Sequence, residues 1–367
     1  MPITTGHSVK PLPEAVQDLQ AQCGDSKPRL VIFFASTQYD PQALSESLQT
    51  AFAGACVVGC STAGEIVCGQ MMTGAVVAMF LPAGVVDDVS VVVVENLRSQ
   101  ASELTACSQF AQHFGNPVSS LDLTRHVGLV LVDGLSGAEE RLIETIGDCS
   151  DILFVGGAAG DDLKFEKTYV CSGGKAYNDA AVLLLLRLKN GFEILKTQSF
   201  VLAGRQLTAT KVNETERRVL EFDHKPAVAA YADAIGKPPN EISAHFMQQP
   251  LGLMVNGEPF VRSPQRVDGT SIVFYCRIRQ GMQLELLHST DIVADTRAAI
   301  AASKSALGHI SGLINFHCIL RTLDLRKQKR CEEYGAIFAG MPAIGFSTYG
   351  EEYLGHINQT STILLFR

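Results

Sequence analysis

Apolar positions along the chain cluster into short continuous runs, which are separated by longer stretches with helical spacing. The runs at residues 30–35, 127–132 and 313–318 are typical of buried strands. A helix-compatible stretch follows each run, and a glycine comes 24, 24 and 27 residues after the run ends. Further apolar runs lie beyond these glycines, at residues 75–81, 180–186 and 362–366.

The segments that begin at these glycines are similar to one another. Residues 59–65 read GCSTAGE and residues 345–351 read GFSTYGE, while residues 156–161 form a looser copy, GGAAGD. A repeated segment indicates a repeated supersecondary unit, which here is strand–helix–strand–glycine turn–strand. Because glycine lets the backbone approach a bound group closely, these turns are also predicted to lie near a ligand.

The whole pattern predicts an α/β (mixed α+β) protein with two domains. A chain of 367 residues is long for a single core, and beyond residue 213 the pattern of elements changes to two helices followed by a strand-rich block. An alanine-rich helix capped by Asp291 then leads into the third copy. The helices predicted in addition to the repeated strands cover residues 12–22, 41–52, 102–114, 137–146, 225–235, 240–248 and 291–307.

Composition and charge narrow the classes of function. Apolar residues make up 46% of the chain, charged residues 19%, and the net charge is −8. The basic run at residues 326–330 is interpreted as a solvated helix face, so no nucleic-acid partner is expected. The apolar runs are too short to span a membrane, and the first residues lack the pattern of an export signal. We therefore expect a cytoplasmic protein without a membrane partner, whose ten cysteines are mostly reduced and buried.

The GCSTAGEI and GGAAGDD turns, the late GFSTYGEEY segment and the final HINQTSTILLF strand together resemble the FIST domain. Features of the C-terminal half also match in order, from Val261-Arg262-Ser263-Pro264 to the FHCILR segment at residues 316–321. The resemblance covers roughly residues 29–366. It implies a helical extension at residues 1–28, a FIST N-type domain at 29–218 and a FIST C-type domain at 219–367.

The resemblance implies a stand-alone sensory protein that is not an enzyme. Its expected partner is a histidine kinase or a cyclic-di-nucleotide signalling enzyme, and a homodimer is left open. A narrower resemblance is to the haem-binding, nitric-oxide sensing branch of the family, called NosP, which implies haem b and a diatomic gas ligand. The alternative within the family is a module that binds a small polar metabolite, such as an amino acid, without haem.

A haem iron needs a strong axial ligand such as histidine. His317 interrupts an apolar strand where the first copy has Ala35 or Phe34 and the second has Val132 or Leu131. A polar ring in such a strand must be hydrogen-bonded or ligated. His317 is therefore the predicted axial ligand, and His356 is the second candidate. For both residues, a structural histidine satisfied by hydrogen bonds is the alternative.

The repeated turns supply the candidate ligand-binding residues. Hydroxyls, backbone N–H groups and carboxylates could line a polar cavity, or the serines and threonines could instead cap their own turns. Arg321 could pair with a haem propionate or a ligand carboxylate, with a surface ion pair as the alternative. A hydrolase is disfavoured because the turns lack a complete nucleophile elbow. The candidates are Ser61, Thr62, Glu65, Gly156, Gly157, Asp161, Arg321, Ser347, Thr348 and Glu351.

Overall fold

The computed structural model describes residues 2–99 and 105–367. The chain forms two compact units. Among the described residues, the first unit contains residues 2–99, 105–197, 297–356 and 361–367, and the second contains residues 198–296 and 357–360. These compact units have other bounds than the domains expected at residues 29–218 and 219–367, which stay a prediction.

Repeat one begins earlier in the chain than the sequence pattern indicates. A strand and a helix precede the predicted strand at residues 30–35, and this first strand pairs with the strand at residues 76–82, so residues 4–23 belong to the first repeat. The second helix starts at Pro41, as predicted, and the Asp40 side chain accepts a hydrogen bond from Ala43 N at its N-terminus. The elements are β1 (Thr4–Ser8), α1 (Glu14–Cys23), β2 (Pro28–Ala35), α2 (Pro41–Ala51), β3 (Cys56–Ser61), β4 (Glu65–Val67), β5 (Gln70–Met72) and β6 (Val76–Pro82).

Repeat two has the same order of elements. Part of its predicted first helix, at residues 102–104, lies outside the described residues. The described elements are β7 (Val86–Glu95), a short 3-10 helix (Leu97–Ser99), α3 (Thr105–Phe114), a second 3-10 helix (Val118–Ser120), β8 (His126–Val132), α4 (Glu139–Cys149), β9 (Phe154–Ala158), β10 (Val170–Ser172), β11 (Lys175–Tyr177) and β12 (Ala180–Leu188).

The second unit interrupts repeat three, after that repeat's first strand, β13 (Phe192–Gln198). It is an antiparallel sheet packed against α5, with Tyr231 and Phe246 among its core residues. The helix predicted at residues 240–248 is wrong, because only a short 3-10 helix (Ile242–His245) forms there. The other elements are β14 (Phe200–Asn213), β15 (Arg218–Phe222), β16 (Lys225–Pro226), α5 (Ala227–Ile235), β17 (Leu251–Val255), β18 (Glu258–Arg262), β19 (Pro264–Asp268), β20 (Ser271–Phe274) and β21 (Gln283–Ser289).

Repeat three resumes in the alanine-rich helix α6. Asp291 caps that helix as predicted, since its Oδ1 accepts hydrogen bonds from Val293 N and Ala294 N at 2.9 and 3.0 Å. The remaining elements are α6 (Ile292–Leu307), β22 (Gly312–Cys318), α7 (Ile319–Gln328), α8 (Cys331–Gly335), a 3-10 helix (Ala336–Phe338), β23 (Ala343–Thr348), β24 (Glu351–Tyr353), β25 (His356–Ile357) and β26 (Thr360–Phe366).

The three repeats exchange their hairpins in a cycle. In the described ranges, each repeat builds one six-stranded sheet whose central pair is parallel, namely β2–β3, β8–β9 and β22–β23. The hairpin β4–β5 of repeat one joins the sheet of repeat three, β10–β11 of repeat two joins that of repeat one, and β24–β25 of repeat three joins that of repeat two. The first unit therefore has approximate three-fold internal symmetry.

One shared core fills the space between the inner faces of the three sheets. Phe34 in β2 lies with its ring centroid 4.5 Å from that of Phe346 in β23, and Phe316 in β22 lies 5.9 Å from Phe346. Matching inner residues of repeat two, such as Leu131 in β8, belong to the same cluster. Helices cover the outer faces, as α1 and α2 do over β2.

The first glycine of each repeated segment is required by the neighbouring strand. A Cβ atom on Gly59, Gly156 or Gly345 would overlap the carbonyl oxygen of the residue paired with it in the parallel strand, which is Phe33, Val130 or Asn315. The repeated glycine thus reflects close approach of two strands.

Gly156→Ala is expected to destabilise the first unit by at least about 1–3 kcal/mol, since the added methyl group must displace the backbone of β8. Gly147→Ala is the matched control. Gly147 lies in α4 with open space around its Cβ position, so alanine there should raise stability by roughly 0.5–1 kcal/mol. Urea unfolding of both variants measures the difference, and equal midpoints would contradict this explanation of the repeat.

Candidate ligand-binding site

The three glycine turns contact one another within the first unit. Three equivalent backbone hydrogen bonds join the turns: Gly160 N donates to Ser61 O at 3.0 Å, Ala63 N to Ser347 O at 3.2 Å and Tyr349 N to Ala158 O at 3.1 Å. The turns therefore bind to one another through their main chains.

Most turn side chains are satisfied inside the protein. The Ser61 hydroxyl donates to Gly160 O at 2.7 Å, and that of Thr348 contacts the carbonyl oxygens of Ala158 and Gly350 at 2.7 and 2.6 Å. Ser347 Oγ lies 2.8 Å from the Thr322 hydroxyl. These contacts agree with the structural alternative for the serines and threonines.

Glu65 is a buried carboxyl group in the first turn. Its Oε1 accepts a short hydrogen bond from the Thr62 hydroxyl, and its Oε2 accepts one from Ala75 N at 3.1 Å. Burial raises the pKa of Glu65 to about 7 although both hydrogen bonds oppose the shift. Its protonation therefore changes near neutral pH.

The second turn continues into a loop at residues 162–167, which the other two copies lack. Asp161 is the anchor of this loop, because its carboxylate accepts hydrogen bonds from the backbone N–H groups of Phe165, Glu166 and Lys167 at 2.6–3.0 Å. The Tyr349 hydroxyl of the third turn also donates to Asp161. This loop is thus tied directly to repeat three.

A cavity of about 250 Å³ lies between this loop, the end of β2 and the start of α2. Its floor is buried and largely apolar, with Ala35 and Leu44 among the floor residues. We call it the repeat-one cavity. Its lining residues are Phe33, Ala35, Ser36, Thr37, Tyr39, Asp40, Pro41, Leu44, Cys60, Ser61, Asp161, Lys164, Glu166, Lys167, Tyr169 and Cys171.

Charges of both signs surround the mouth of the repeat-one cavity. Lys164, Lys167, Glu166 and Asp40 line it and are exposed. Lys164 Nζ donates to the Thr37 hydroxyl at 3.1 Å, whereas the cavity hydroxyls mainly donate to protein acceptors. A bound molecule would therefore meet an apolar floor and a mouth that can pair with both an anion and a cation.

His317 lies at the place that corresponds to Ala35. The parallel registers pair Ala35 with Ser61, Val132 with Ala158 and His317 with Ser347, so these three positions are equivalent. Where Ala35 leaves open space, the His317 ring packs against that of Tyr334 with centroids 4.5 Å apart. The third copy of the cavity is thus filled by side chains.

The His317 side chain has a nitrogen that could bind iron, but its surroundings leave no space for a haem. Its Nδ1 lies 2.9 Å from the Tyr334 hydroxyl, and its Nε2 is buried without a hydrogen-bond partner. Burial and the charge of Arg321 hold the pKa of His317 well below its usual range, so the ring is neutral. However, the residue is 0% exposed, and the described cavities do not include it. The residues present do not fit a haem, because its macrocycle needs an open face beside the imidazole.

His356 forms a buried pair with Glu352. The His356 Nδ1 lies 2.7 Å from Glu352 Oε1. Burial alone would lower the pKa of His356, but Glu352, with help from Glu139 and Glu140, raises it to about 9. A protonated imidazole has no lone pair for iron, so this second candidate does not fit the group either. A Cβ on Gly350 would overlap the His356 ring, which explains the glycine at that position.

Of the predicted residues, the structure places only two in the lining of the repeat-one cavity. Ser61 and Asp161 line it, whereas Gly156 and Gly157 pack against neighbouring chain segments and Arg321 is buried near His317. The sequence pattern did not predict the cavity residues on the 162–167 loop. Their one sequence signal is the extra length between the second glycine turn and the apolar run that follows it.

The described residues show neither a metal cluster nor a membrane helix. Within residues 2–99 and 105–367, no group of three or more His, Cys, Asp and Glu side chains is placed to hold a metal ion. No helix of those same ranges has the length and apolar character needed to cross a membrane. Eight of the ten cysteines are free thiols, as expected, and Cys107 and Cys149 form a disulfide.

Comparison with known proteins gives two family matches and a distant relative. A family model described as the FIST N domain matches residues 29–225, and one described as the FIST C domain matches residues 227–353. An uncharacterized protein of Methanocaldococcus jannaschii is 25% identical over 195 residues, which are 49% of this chain and 38% of that protein. The chain therefore spans less than half of that relative's length.

Proposed function

Because the chain belongs to the FIST family, whose domains are sensory modules that bind small ligands in signal transduction, we propose that it senses a small zwitterionic metabolite, such as an amino acid, in the repeat-one cavity. The observation that carries the proposal is the mixed charge at the mouth of a small, buried and mostly apolar cavity. The protein acts as a sensor and not as a catalyst.

The size of the cavity limits the ligand. Its volume of about 250 Å³ is below the roughly 300–1,000 Å³ of sites for drug-sized molecules. Lys164 and Lys167 provide positive charge for a carboxylate, and Glu166 and Asp40 provide negative charge for an ammonium group. The apolar floor then accepts the ligand's side chain.

The 162–167 loop connects ligand occupancy to repeat three. Lys164 and Glu166 stand on this loop, and its anchor Asp161 is hydrogen-bonded to Tyr349 of the third turn. Phe165 of the loop stacks on the Tyr349 ring at 4.9 Å and is 56% exposed. A ligand that holds the loop in one position biases this contact, and a partner such as a histidine kinase responds if it prefers one of the two states.

Calorimetric titration with each proteinogenic amino acid tests the proposal. We expect at least one to bind, and Lys164→Gln combined with Lys167→Gln to weaken that binding about 10- to 100-fold, since charge-assisted hydrogen bonds are lost. Lys189→Gln is the control because Lys189 is exposed and does not line the cavity. Binding that survives the double substitution would place the ligand elsewhere.

A second series of titrations distinguishes zwitterionic ligands from purely anionic ones. Dicarboxylates without an ammonium group are titrated in parallel, and Glu166→Gln should weaken only ligands that carry an ammonium group. If only dicarboxylates bind, the ligand is an anion and the zwitterion proposal is wrong. If no compound binds in either series, the proposed site fails.

The haem and nitric-oxide interpretation stays a prediction, which the closed surroundings of His317 do not favour although its Nε2 has no hydrogen-bond partner. Its test is the absorption spectrum of the protein purified with haem supplied, before and after nitric oxide. A stoichiometric Soret band that is lost in His317→Ala would establish that interpretation. A weak band that this substitution leaves unchanged would exclude His317 as the ligand.

A further inference from the structure

Two cysteines of repeat two lie together on neighbouring helices. Cys107 is in the first turn of α3 and Cys149 is the last residue of α4, with their Cα atoms 6.7 Å apart and their sulfur atoms bonded. Both side chains are half-buried, so small reagents can reach them. The bond closes a segment of 42 residues.

The other cysteines show why this pair is distinct. The remaining eight are free thiols, and all ten lie within the described part of the chain. Burial raises the pKa of Cys56 to about 11 and that of Cys171 to about 12, so these thiols react slowly. Cys68 is exposed but is not paired with another cysteine. A chain with mostly free thiols is typical of a reducing compartment, where a disulfide is usually transient or redox-sensing.

The helices stay packed without the bond. Ala106 and Phe110 of α3 and Leu142 and Ile146 of α4 are buried in one apolar cluster with the strands of repeat two. Reduction therefore frees the end of α4 without removing the contacts that hold either helix. The other end of α4 carries Glu139 and Glu140, whose charges act on the buried His356.

We propose that Cys107 and Cys149 form a reversible redox site that tethers the end of α4. Oxidation proceeds by thiol–disulfide exchange with a low-molecular-weight disulfide such as oxidised glutathione. One cysteine thiolate attacks it and releases a glutathione thiol, and the second cysteine then attacks the mixed disulfide and releases another. The two cysteine thiols lose two electrons and two protons, and two glutathione thiols form.

Thiol trapping across a series of glutathione ratios tests the site on the full chain. After denaturation and alkylation, we expect the reduced protein to carry ten labels and the oxidised protein eight, with a 107–149 crosslinked peptide in the digest. Hydrogen exchange at the end of α4 should be faster in the reduced form. The melting temperature should fall by roughly 5 °C on reduction.

Cys107→Ser should abolish the two-label difference, whereas the control Cys68→Ser should keep it. The wild-type experiment alone is already decisive if the variant fails to fold. Ten labels at every glutathione ratio would show that the pair does not form a disulfide. Eight labels that persist under native conditions in excess reduced glutathione would show a fixed structural bond, and either result overturns the proposal.

Discussion

Glu352→Gln is expected to destabilise the first unit by about 3–5 kcal/mol at neutral pH. Glu352 is fully buried, and its carboxylate is 2.7 Å from the protonated His356 ring. The substitution keeps the size of the side chain but removes the charge that compensates a buried cation. Removing one partner of a buried ion pair costs more than the pair itself contributes.

The pH dependence identifies the charge effect. The pKa of His356 is raised from 6.5, the value of a free imidazole, to about 9 in the folded protein. The protonated ring therefore stabilises the fold fully below pH 6.5, and this contribution is lost as the pH rises through 9. This amounts to roughly 3 kcal/mol, and the decrease should be absent in Glu352→Gln. Urea unfolding at pH 6 and pH 9.5 measures it.

An exposed pair provides the control. His113 and Asp88 are 3.0 Å apart but are partly exposed, so His113→Ala should cost less than about 1 kcal/mol. If Glu352→Gln costs no more than this, the buried pair does not stabilise the fold as described.

The repeated unit could be predicted from the sequence because its signals are local. Apolar runs, helix spacing and the glycine at 59, 156 and 345 recur at similar distances, and each has a steric or burial cause within its own repeat. The exchange of hairpins could not be predicted in this way. Which sheet receives β4–β5 depends on the closure of three repeats around a shared core, and no local pattern encodes that pairing.

The candidate site was predicted less completely for a related reason. The pattern identified the three turns, which do come together, but not that their hydroxyls would bond to neighbouring turns. The cavity depends on a small residue, Ala35, at the position where repeat three has His317. His317 can be identified from the sequence because it is a polar residue in an apolar strand. An alanine in a strand gives no such signal, although Ala35 creates the open space.

The effect of Glu65→Gln on the free energy of unfolding is expected to depend on pH. The pKa of Glu65 is raised from 4.5 to about 7 in the folded protein. Its favourable contribution is therefore complete below pH 4.5 and is lost as the pH rises through 7, a change of roughly 3 kcal/mol. Glutamine remains neutral and does not lose this contribution. The variant should be more stable than the wild type at pH 8.5 and equal or slightly less stable at pH 4.5.

Two further variants make the assignment specific. Thr62→Val removes a hydrogen bond that lowers the pKa of Glu65, so the transition should move to higher pH. Glu46→Gln changes an exposed carboxylate on α2 and should leave the pH profile of stability unchanged.

The same Glu65→Gln protein also tests the predicted role of Glu65 in ligand binding, because Glu65 does not line the repeat-one cavity. Unchanged ligand affinity together with the shifted stability profile would assign Glu65 to the architecture of the turns, while a loss of affinity at pH 6, where the wild-type carboxyl is mostly protonated, would return it to the binding site.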